Sequence, residues 1–435
     1  MQLLYRAIRR FVGKALCACS AATVVALVLG PTAHAASPTV VSLTFDDTLA
    51  NQYQTRSMLA AHGMHATYYV NSPRIDAGGY MTKAQLLGLQ SDGSEIAGHT
   101  ANHLDLSRVD VDEQKRQICN DRSTLLSWGF AVSDFAYPFG ESPGLDQVVQ
   151  GCGYNSARDY GGLSGAAETL PPTDPYGIKT VNGVVSSDSP GDLENDVTRA
   201  EGAGGGWVIF VFHNVCDGCS TLAVSPSTLS SFLDWLASRA SAGTSVETVR
   251  QVIGGDVKPA VQGPPPPPVR SGNMLLNPSL ENDVDGNGFP DCWQPNSWRV
   301  NSSTWSRTTD AHTGSFAERV NVTSYTSGAV RLLSQQDLGY CAPTAVAGHT
   351  YKLSAWYKGT ARPRLVAFVR NGVGAWSVLG QSDRLPKSAT WKHGTWTAPA
   401  LPTGDNGIGI GVAVESVGSL TMDDLAVSDT ASASP

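Results

Sequence analysis

Two adjacent aspartates and three histidines are the residues of this chain best suited to catalysis. Asp46 and Asp47 directly follow an apolar segment, His99 and His103 form a His-x3-His pair, and His213 ends a second apolar run. Two histidines and one carboxylate are a ligand set for a catalytic divalent metal ion that keeps one position open for water. One aspartate and one histidine then remain, and hydrolysis needs one general base and one general acid. These two aspartates and three histidines therefore predict a metal-dependent hydrolase.

Four short motifs, in this order, resemble those of the polysaccharide deacetylases, the NodB-like carbohydrate esterase family 4. They are Thr44-Phe45-Asp46-Asp47-Thr48, His99-Thr100-Ala101-Asn102-His103, Ala136-Tyr137-Pro138-Phe139-Gly140 and Val211-Phe212-His213. The motifs follow short apolar strands that alternate with helical segments, which predicts a parallel α/β fold with its site at the carboxyl ends of the strands. Periodicity alone does not separate a barrel from an open doubly wound sheet. The resemblance implies a distorted (β/α) barrel with fewer than eight strands.

The resemblance also implies a role for each catalytic residue. Its metal ligands are Asp47, His99 and His103. Zinc is the metal we expect from imidazole and carboxylate ligands, although cobalt, nickel or manganese could serve. Asp46 is the implied general base, His213 the general acid that protonates the leaving amine, and the backbone N–H of Phe139 the donor to the oxyanion.

Three departures from the family pattern bear on activity. Thr48 stands where the family usually has glycine, and Ala136 replaces the arginine of the third motif, which in the family pairs with the catalytic base. A branch of the family that includes poly-N-acetylglucosamine deacetylases also has alanine here, and Arg158 could supply the missing guanidinium. No D-x-x-D-W fourth motif is visible. Asp174 lies in the right interval, but we do not assign it that role.

The N-terminus has the pattern of a secretory signal. A basic start is followed by the apolar stretch 15–30 and by a small-x-small cleavage site, Ala33-His34-Ala35. A membrane anchor is the alternative, but the apolar stretch is short for a span and ends at Gly30-Pro31. We therefore expect a secreted, extracellular protein without a stable membrane anchor after residues 1–35 are removed.

Charge and cysteine content narrow the class further. The chain of 435 residues has a net charge of −8, and the signal segment carries four of its basic residues and none of its acidic ones. The acidic mature chain argues against a nucleic-acid partner, and we expect a monomer that binds a polysaccharide.

Six cysteines remain after the signal segment, an even number in an exported chain. We predict the pairs Cys119–Cys152, Cys216–Cys219 and Cys292–Cys341, each within one domain; the alternative for Cys216-x2-Cys219 is a metal or redox pair.

The length predicts two domains. We place the boundaries as a signal peptide at 1–35, a deacetylase domain at 36–256, a linker at 257–272, a β-sandwich at 273–428 and a tail at 429–435. The linker contains the run Pro264 to Pro268, which favours an extended, semi-rigid spacer.

The segment after the linker has short strands, turn residues and seven of the ten tryptophans, and it resembles a jelly-roll carbohydrate-binding module. Such modules often hold one structural calcium ion, for which Glu281 and Asp424 are the candidate ligands. The loop with Asp283, Asp285 and Asn287 is an alternative calcium site, or a hydrated turn. Any of the seven tryptophans could stack on sugar or lie in the core.

The sequence thus predicts a secreted metal-dependent hydrolase that removes N-acetyl groups from an amino-sugar polysaccharide such as chitin, peptidoglycan or poly-N-acetylglucosamine. Two alternatives stay open. One is an O-acetyl esterase on acetylated xylan, which the same centre could perform. The other is a glycan-binding protein that has lost activity, in line with the missing arginine and fourth motif.

Overall fold

The computed structural model describes residues 38–140 and 144–431. The predicted signal segment lies outside these residues, as does the end of the predicted tail. Within the described residues, no helix has the length and apolarity that a membrane span requires.

A ring of parallel strands forms the first domain. Its strands are β1 (Thr39–Phe45), β2 (Thr67–Val70), β3 (Glu95–Gly98), β4 (Asp134–Ala136), β5 (Ser156–Gly162), β6 (Ile178–Thr180) and β7 (Gly206–Phe212). They pair in chain order, and β7 returns to pair with β1 in register from Thr39↔Gly206 to Phe45↔Phe212. Backbone hydrogen bonds from Val181 to Ile209, at 3.2 Å, and from Val184 to Val211, at 3.0 Å, bring β6 and β7 together. The barrel is thus nearly closed with fewer than eight strands in the ring, as the family resemblance implied.

Three further strands belong to this domain. They are the two-stranded pair β8 (Asn214–Val215) and β9 (Ala223–Val224), and β10 (Thr244–Val246), which pairs with the start of β1. All seven residues of β1 are buried. Burial of this kind is expected for a parallel strand covered on both faces, and it explains the continuous apolar run that identified the strand from sequence.

Helices cover the outside of the barrel. They are α1 (Thr55–Ala60), α2 (Lys83–Ser91), α3 (Val111–Lys115), α4 (Asp121–Ser127), α5 (Asp146–Gly151), α6 (Pro190–Gly202), α7 (Pro226–Ser238) and α8 (Val249–Ile253). The sequence Thr82-x2-Gln85 predicts a capping box at the start of a helix, and the structure confirms this box at the start of α2. The sequence from Val111 to Trp128 predicts one continuous helix, whereas the structure has α3 and α4 joined by a π-helical turn at Arg116–Asn120. Such single turns are frequent at functional sites.

The second domain is a sandwich of two antiparallel sheets. Its strands are β11 (Trp293–Trp298), β12 (Asn301–Thr308), β13 (Ala317–Tyr325), β14 (Ala329–Ser334), β15 (Tyr351–Gly359), β16 (Pro363–Arg370), β17 (Trp376–Gln381), β18 (Ser388–Thr397), β19 (Gly407–Val414) and β20 (Gly418–Asp429). One sheet has the order β11-β14-β19-β16-β17 and the other β12-β13-β20-β15-β18. Alternate residues of the strands fill a shared core, for example Leu353, Ala355 and Tyr357 of β15. The predicted fold class, a barrel followed by an all-β sandwich, is confirmed.

The proline-rich segment packs against both domains. Arg122 of α4 donates hydrogen bonds to the carbonyl oxygens of Lys258, at 2.7 Å, and Pro259, at 3.0 Å. Farther along the segment, the Thr344 hydroxyl of the sandwich donates to the carbonyl oxygen of Pro267 at 2.6 Å. Proline lacks an N–H but keeps its carbonyl, so the segment can be held by side chains from either side. This differs from the spacer expected from the proline run, and the described residues cluster as one compact unit.

The described chain has three disulfide bonds, two within the barrel and one within the sandwich. They are Cys119–Cys152, Cys216–Cys219 and Cys292–Cys341. These are the three pairs predicted from the sequence, and none of them crosses between the domains.

Candidate active site and metal centre

The candidate catalytic residues lie where barrel strands end. Asp46 and Asp47 follow β1, His99 follows β3, Phe139 follows β4 and His213 follows β7. Because the strands are parallel, their carboxyl ends meet at one face of the barrel, and side chains distant in sequence come together there. His99 begins the loop after β3, which confirms the prediction that its motif follows a strand.

Asp47, His99 and His103 form a group with the composition and spacing of a metal site. The Asp47 Oδ1 atom lies 3.2 Å from His103 Nε2 and 3.9 Å from His99 Nε2. All three ligand atoms lie within 4.8 Å of one another. The Nδ1 atom of His99 lies 2.8 Å from the carbonyl oxygen of Ala136, and a hydrogen bond there leaves Nε2 free to bind a metal. This donor set fits a divalent ion such as zinc.

The surroundings favour the protonation states that metal binding requires. Burial lowers the pKa of His99 and that of His103, so both imidazoles are neutral at neutral pH. Burial opposes ionisation of Asp47, but the two imidazoles and the nearby Arg74 guanidinium keep its pKa below the ordinary range. The Arg74 Nη1 atom donates to Asp47 Oδ1 at 3.0 Å and holds the carboxylate in place. The site is therefore ready to accept a cation without first losing protons.

Asp46 forms a buried ion pair with Arg158. The Arg158 Nη2 atom donates to Asp46 Oδ1, and both side chains are almost fully buried. Burial would raise the pKa of Asp46, but Arg158, together with His99 and His213, keeps it below the ordinary value. Asp46 is therefore ionised at neutral pH and can accept a proton.

The strand register explains how Arg158 reaches this position. Ala136 of β4 pairs directly with Arg158 of β5. Ala136 is the position at which the family motif has arginine, so the guanidinium beside Asp46 comes here from the residue paired with that position on the neighbouring strand. The Arg158 guanidinium also lies 4.5 Å from the centre of the Tyr69 ring, an arrangement that stabilises a cation.

Thr48 occupies a backbone conformation that favours glycine. Its φ angle is +65°, in the left-handed region, where a β-branched residue is strained. Its hydroxyl accepts a hydrogen bond from the Asn71 N–H at 2.8 Å, and the Asn71 amide donates to the carbonyl oxygens of His99 and Thr100. The threonine that departs from the family pattern therefore connects the aspartate loop to the histidine loop.

Strained backbone is concentrated at this face of the barrel. Five non-glycine residues with positive φ lie in the three loops of the site, namely Asp47, Thr48, Thr100, His103 and Phe139. Such conformations persist only where the surrounding contacts enforce them, and they are typical of functional sites.

His213 lies beside Asp46 at the ends of two paired strands. The Gln52 Nε2 atom donates to the backbone carbonyl oxygens of both residues, at 2.9 Å for His213. The His213 Nδ1 atom is buried and has no hydrogen-bond partner among the described residues. The Asp174 carboxylate accepts the Tyr176 N–H at 2.9 Å.

Phe139 has an unusual backbone conformation and an exposed side chain. Its φ and ψ angles are 62° and 0°, and its N–H donates to no described residue. Its ring is 64% exposed and packs edge-on against the ring of His103, with 4.8 Å between the centroids. This combination suits an N–H donor at an exposed position of the site.

Sequence reasoning missed four residues that shape the site, namely Gln52, Asn71, Arg74 and Tyr160. Asn71 directly follows β2, so its position at the end of a strand was a usable signal. The Tyr160 ring lies 6.0 Å from that of His213, but nothing local to the sequence marks Tyr160 or Gln52.

The candidate calcium ligands of the sandwich are occupied by protein donors. Glu281 accepts the N–H groups of Ser315 and Phe316, and Asp424 accepts bonds from His312 Nδ1, at 2.6 Å, and from the Thr313 hydroxyl, at 2.7 Å. Glu281 and Asp424 thus contact one loop, but they belong to no group of three metal-ligating side chains in the described chain. In the alternative loop, Asp283 and Asp285 form a group of carboxylates with Asp291. The Arg108 guanidinium of the barrel lies 3.1 Å from Asp285.

The tryptophans of the sandwich divide between core and surface. Trp293 is buried, and Trp305 and Trp396 pack against the core. Trp298 is 50% exposed, and Trp356 stacks on the His312 ring with 3.8 Å between the centroids.

Comparison with known proteins connects the barrel to one family. The family model described as polysaccharide deacetylase matches residues 33–157. That span contains the aspartate pair, the two metal-site histidines and Phe139, whereas Arg158 and His213 follow it. No curated protein matches the chain.

Several solved structures are similar to parts of the chain. The Bc1960 peptidoglycan N-acetylglucosamine deacetylase is 17% identical with a TM-score of 0.38, covering 52% of this chain and 92% of that one. The carbohydrate-binding module TmCBM61, in complex with a galactotriose, is 17% identical with a TM-score of 0.24, covering 37% of this chain and 99% of that one. The arabinose-bound arabinofuranosidase MgGH51 is 15% identical with a TM-score of 0.28, covering 36% of this chain; the match spans only 26% of that enzyme.

Proposed function

We propose that the polysaccharide deacetylase domain of this chain, identified by the family match over residues 33–157, removes N-acetyl groups from an amino-sugar polysaccharide outside the cell. The observation that carries this proposal is the meeting of Asp47, His99 and His103 at one end of the barrel, beside the Asp46–Arg158 pair. The three disulfide bonds support an exported protein, because such bonds persist in oxidising compartments.

We assign the metal ion to Asp47, His99 and His103, and we expect zinc. A divalent ion bound there would lower the pKa of water and polarise the carbonyl group of the acetamide. The chain supplies what remains. Asp46 takes a proton from the attacking water, whose oxygen forms a bond to the acetyl carbon.

The Phe139 N–H donates to the oxyanion that forms as the carbonyl π bond opens. His213 then gives a proton to the amide nitrogen, the carbon–nitrogen bond breaks, and acetate and a free amine leave. An amine is a poor leaving group unless it is protonated, so His213 decides whether amides are cleaved.

A second candidate is an O-acetyl esterase, and one observation favours it. The Nδ1 atom of His213 has no hydrogen-bond partner among the described residues, so no carboxylate there is hydrogen-bonded to that nitrogen to orient the imidazolium that amide cleavage uses. An alcohol leaves more easily than an amine and depends less on that proton.

Asp46→Asn is the variant that isolates the general base. We expect turnover to fall by about 10²–10⁴-fold, since that is the usual contribution of general acid–base catalysis. Zinc content should stay at the parent value, because Asp46 is not among the proposed ligands. Unchanged activity would remove Asp46 from this role.

Acetate release by residues 36–435 tests the proposal as a whole. The panel contains N-acetylglucosamine oligomers, peptidoglycan and acetylxylan, each assayed with chelator and again after zinc is restored. Chelator-sensitive release from an amino-sugar polymer supports the deacetylase, and release from acetylxylan alone supports the esterase. Zinc binding without release from any substrate would favour a glycan-binding protein that has lost activity.

A further inference from the structure

The loop that carries His99 and His103 is in contact with the β-sandwich. Asn102, between the two histidines in sequence, donates through Nδ2 to the carbonyl oxygen of Gly374 at 2.9 Å. Gly374 lies in the turn between β16 and β17, where Asn371 accepts the N–H groups of Val373 and Ala375 through its side chain. The turn is therefore ordered by its own hydrogen bonds.

Behind the loop, Gln117 of the π-helical turn forms an amide pair with Asn102. Gln117 Oε1 accepts the Asn102 N–H at 2.8 Å, and Gln117 Nε2 donates to Asn102 Oδ1 at 2.9 Å. The carbonyl oxygen of Gln117 accepts the Ala101 N–H at 3.0 Å. The π turn thus holds the middle of the histidine loop through both its side chain and its backbone.

Glu113 of α3 completes the network and is itself held by the sandwich. Its carboxylate is fully buried and accepts bonds from Gln117 at 2.8 Å, from Arg116 at 2.7 Å and from the Leu338 N–H at 2.7 Å. A buried carboxylate keeps one position only while its hydrogen bonds are made. Leu338 belongs to the sandwich, so the second domain makes two hydrogen bonds with the network. Leu338 donates to Glu113 at one end, and Gly374 accepts from Asn102 at the other.

The histidine loop needs such support because its backbone is strained. Thr100 and His103 have φ angles of 66° and 54°. Strained residues keep these conformations only when the neighbouring structure enforces them. The barrel supplies restraint through Asn71 and Gln117, and the sandwich adds to it through Gly374 and Leu338.

We propose that the Asn371–Ala375 turn of the β-sandwich is a positioning element for the metal-binding loop, so that the second domain sets the metal affinity of the barrel. The expected effect on metal affinity rests on the proposed function. The expected effect on the order of the histidine loop does not, because loop order can be measured without metal.

Gly374→Ala changes the turn from the sandwich side. The φ angle of Gly374 is +88°, and an added Cβ would lie 2.8 Å from a methyl carbon of Leu338. Gly348→Ala is the matched control, because Gly348 has a φ angle of +84° and no atom within 4 Å of its added Cβ. Both substitutions strain one sandwich glycine, and only the first disturbs the contact with the barrel.

Asn102→Asp tests the same contact from the barrel side if Gly374→Ala fails to fold. An aspartate keeps an acceptor for Gln117 but cannot donate to Gly374. Its added negative charge would by itself strengthen cation binding, so a weaker affinity would point to the lost hydrogen bond.

The readouts are hydrogen exchange of the loop amides in metal-free full-length protein and zinc affinity by competition with a chelator. We expect both interface variants to speed loop exchange and to weaken zinc binding roughly five- to tenfold, the equivalent of about one hydrogen bond. Gly348→Ala should change neither quantity.

Parent-like exchange in both interface variants, or equal changes in the control, would overturn the inference. A parent protein that binds no zinc would refute the metal assignment instead, and loop exchange would then decide the inference alone.

Discussion

In this chain the guanidinium beside Asp46 comes from β5, whereas the arginine of the family motif would stand in β4 at the position of Ala136. The equivalence of the two positions can be tested directly. Arg158→Ala should lower turnover by about 10–100-fold, the usual cost of losing a group that orients a catalytic side chain. The double variant Ala136→Arg with Arg158→Ala places the arginine at the family position, directly across the strand pair. We expect it to regain part of the lost activity, measured as kcat on an acetylated oligosaccharide.

The control for this exchange is Ala136→Arg alone, which adds a second guanidinium to a buried site and should reduce stability. If the double variant is no more active than Arg158→Ala, the two positions are not equivalent, and Arg158 has a role other than pairing with Asp46.

Thr48 should matter through its hydroxyl group. Thr48→Ala leaves the buried N–H of Asn71 without an acceptor, which costs about 1–3 kcal/mol of the free energy of unfolding. Thr48→Ser keeps the acceptor and removes the branched methyl group at a positive φ, so it should stay close to the parent. Urea denaturation of both variants checks this, and equal loss in both would show that the methyl group, rather than the hydroxyl, stabilises the loop.

Residue types and motif order predicted which side chains meet at the site, because the carboxyl ends of parallel strands share one face. Arg158 could be suspected from the missing arginine, but only the β4–β5 register shows why it reaches Asp46. Arg74 and Gln52 could not be found, since their roles depend on loop paths that no local pattern encodes.

At the scale of elements, the disulfide bonds should differ in what they contribute. Cys119–Cys152 connects the π-helical turn to the end of α5 across 33 residues, whereas Cys216–Cys219 spans only 3. By loop-closure entropy the long bridge contributes about 3–4 kcal/mol and the short one about 2. Replacing both cysteines of each pair by alanine should therefore lower the urea midpoint more for the first pair. The reverse order would indicate that local packing around each bridge dominates.

Helices and strands with clear local signals were predicted well, and those shaped by tertiary contacts were not. The capping box of Thr82 marked the start of α2, and the apolar run of β1 marked a buried strand. The helix predicted from Val111 to Trp128 has the right extent but misses its π-helical turn. That turn directs Gln117 toward Asn102, a long-range contact that helical periodicity does not report.

For the whole molecule, the sequence predicted two folds in the right order but treated their connection as a spacer. A proline run has the same composition whether it spans solvent or packs against protein. Here the carbonyl oxygens of the segment accept bonds from Arg122 and Thr344, and the two domains share the network around Glu113. The domains should therefore respond together to conditions that disturb their interface.

Asp337 should make the stability of the folded protein depend on pH. It is fully buried in the sandwich, and burial together with the nearby charge of Glu113 raises its pKa from 3.8 to about 7. Between these values the folded protein keeps a proton that the unfolded chain has lost, so stability falls as the pH rises. Thermal unfolding should therefore begin at a lower temperature at pH 8 than at pH 5, by at least a few degrees. Asp337→Asn cannot ionise and should flatten this slope, measured as the difference in Tm between the two pH values. Because other groups also titrate, the comparison with the parent isolates Asp337, and an unchanged slope in the variant would show that its carboxyl group is not the source.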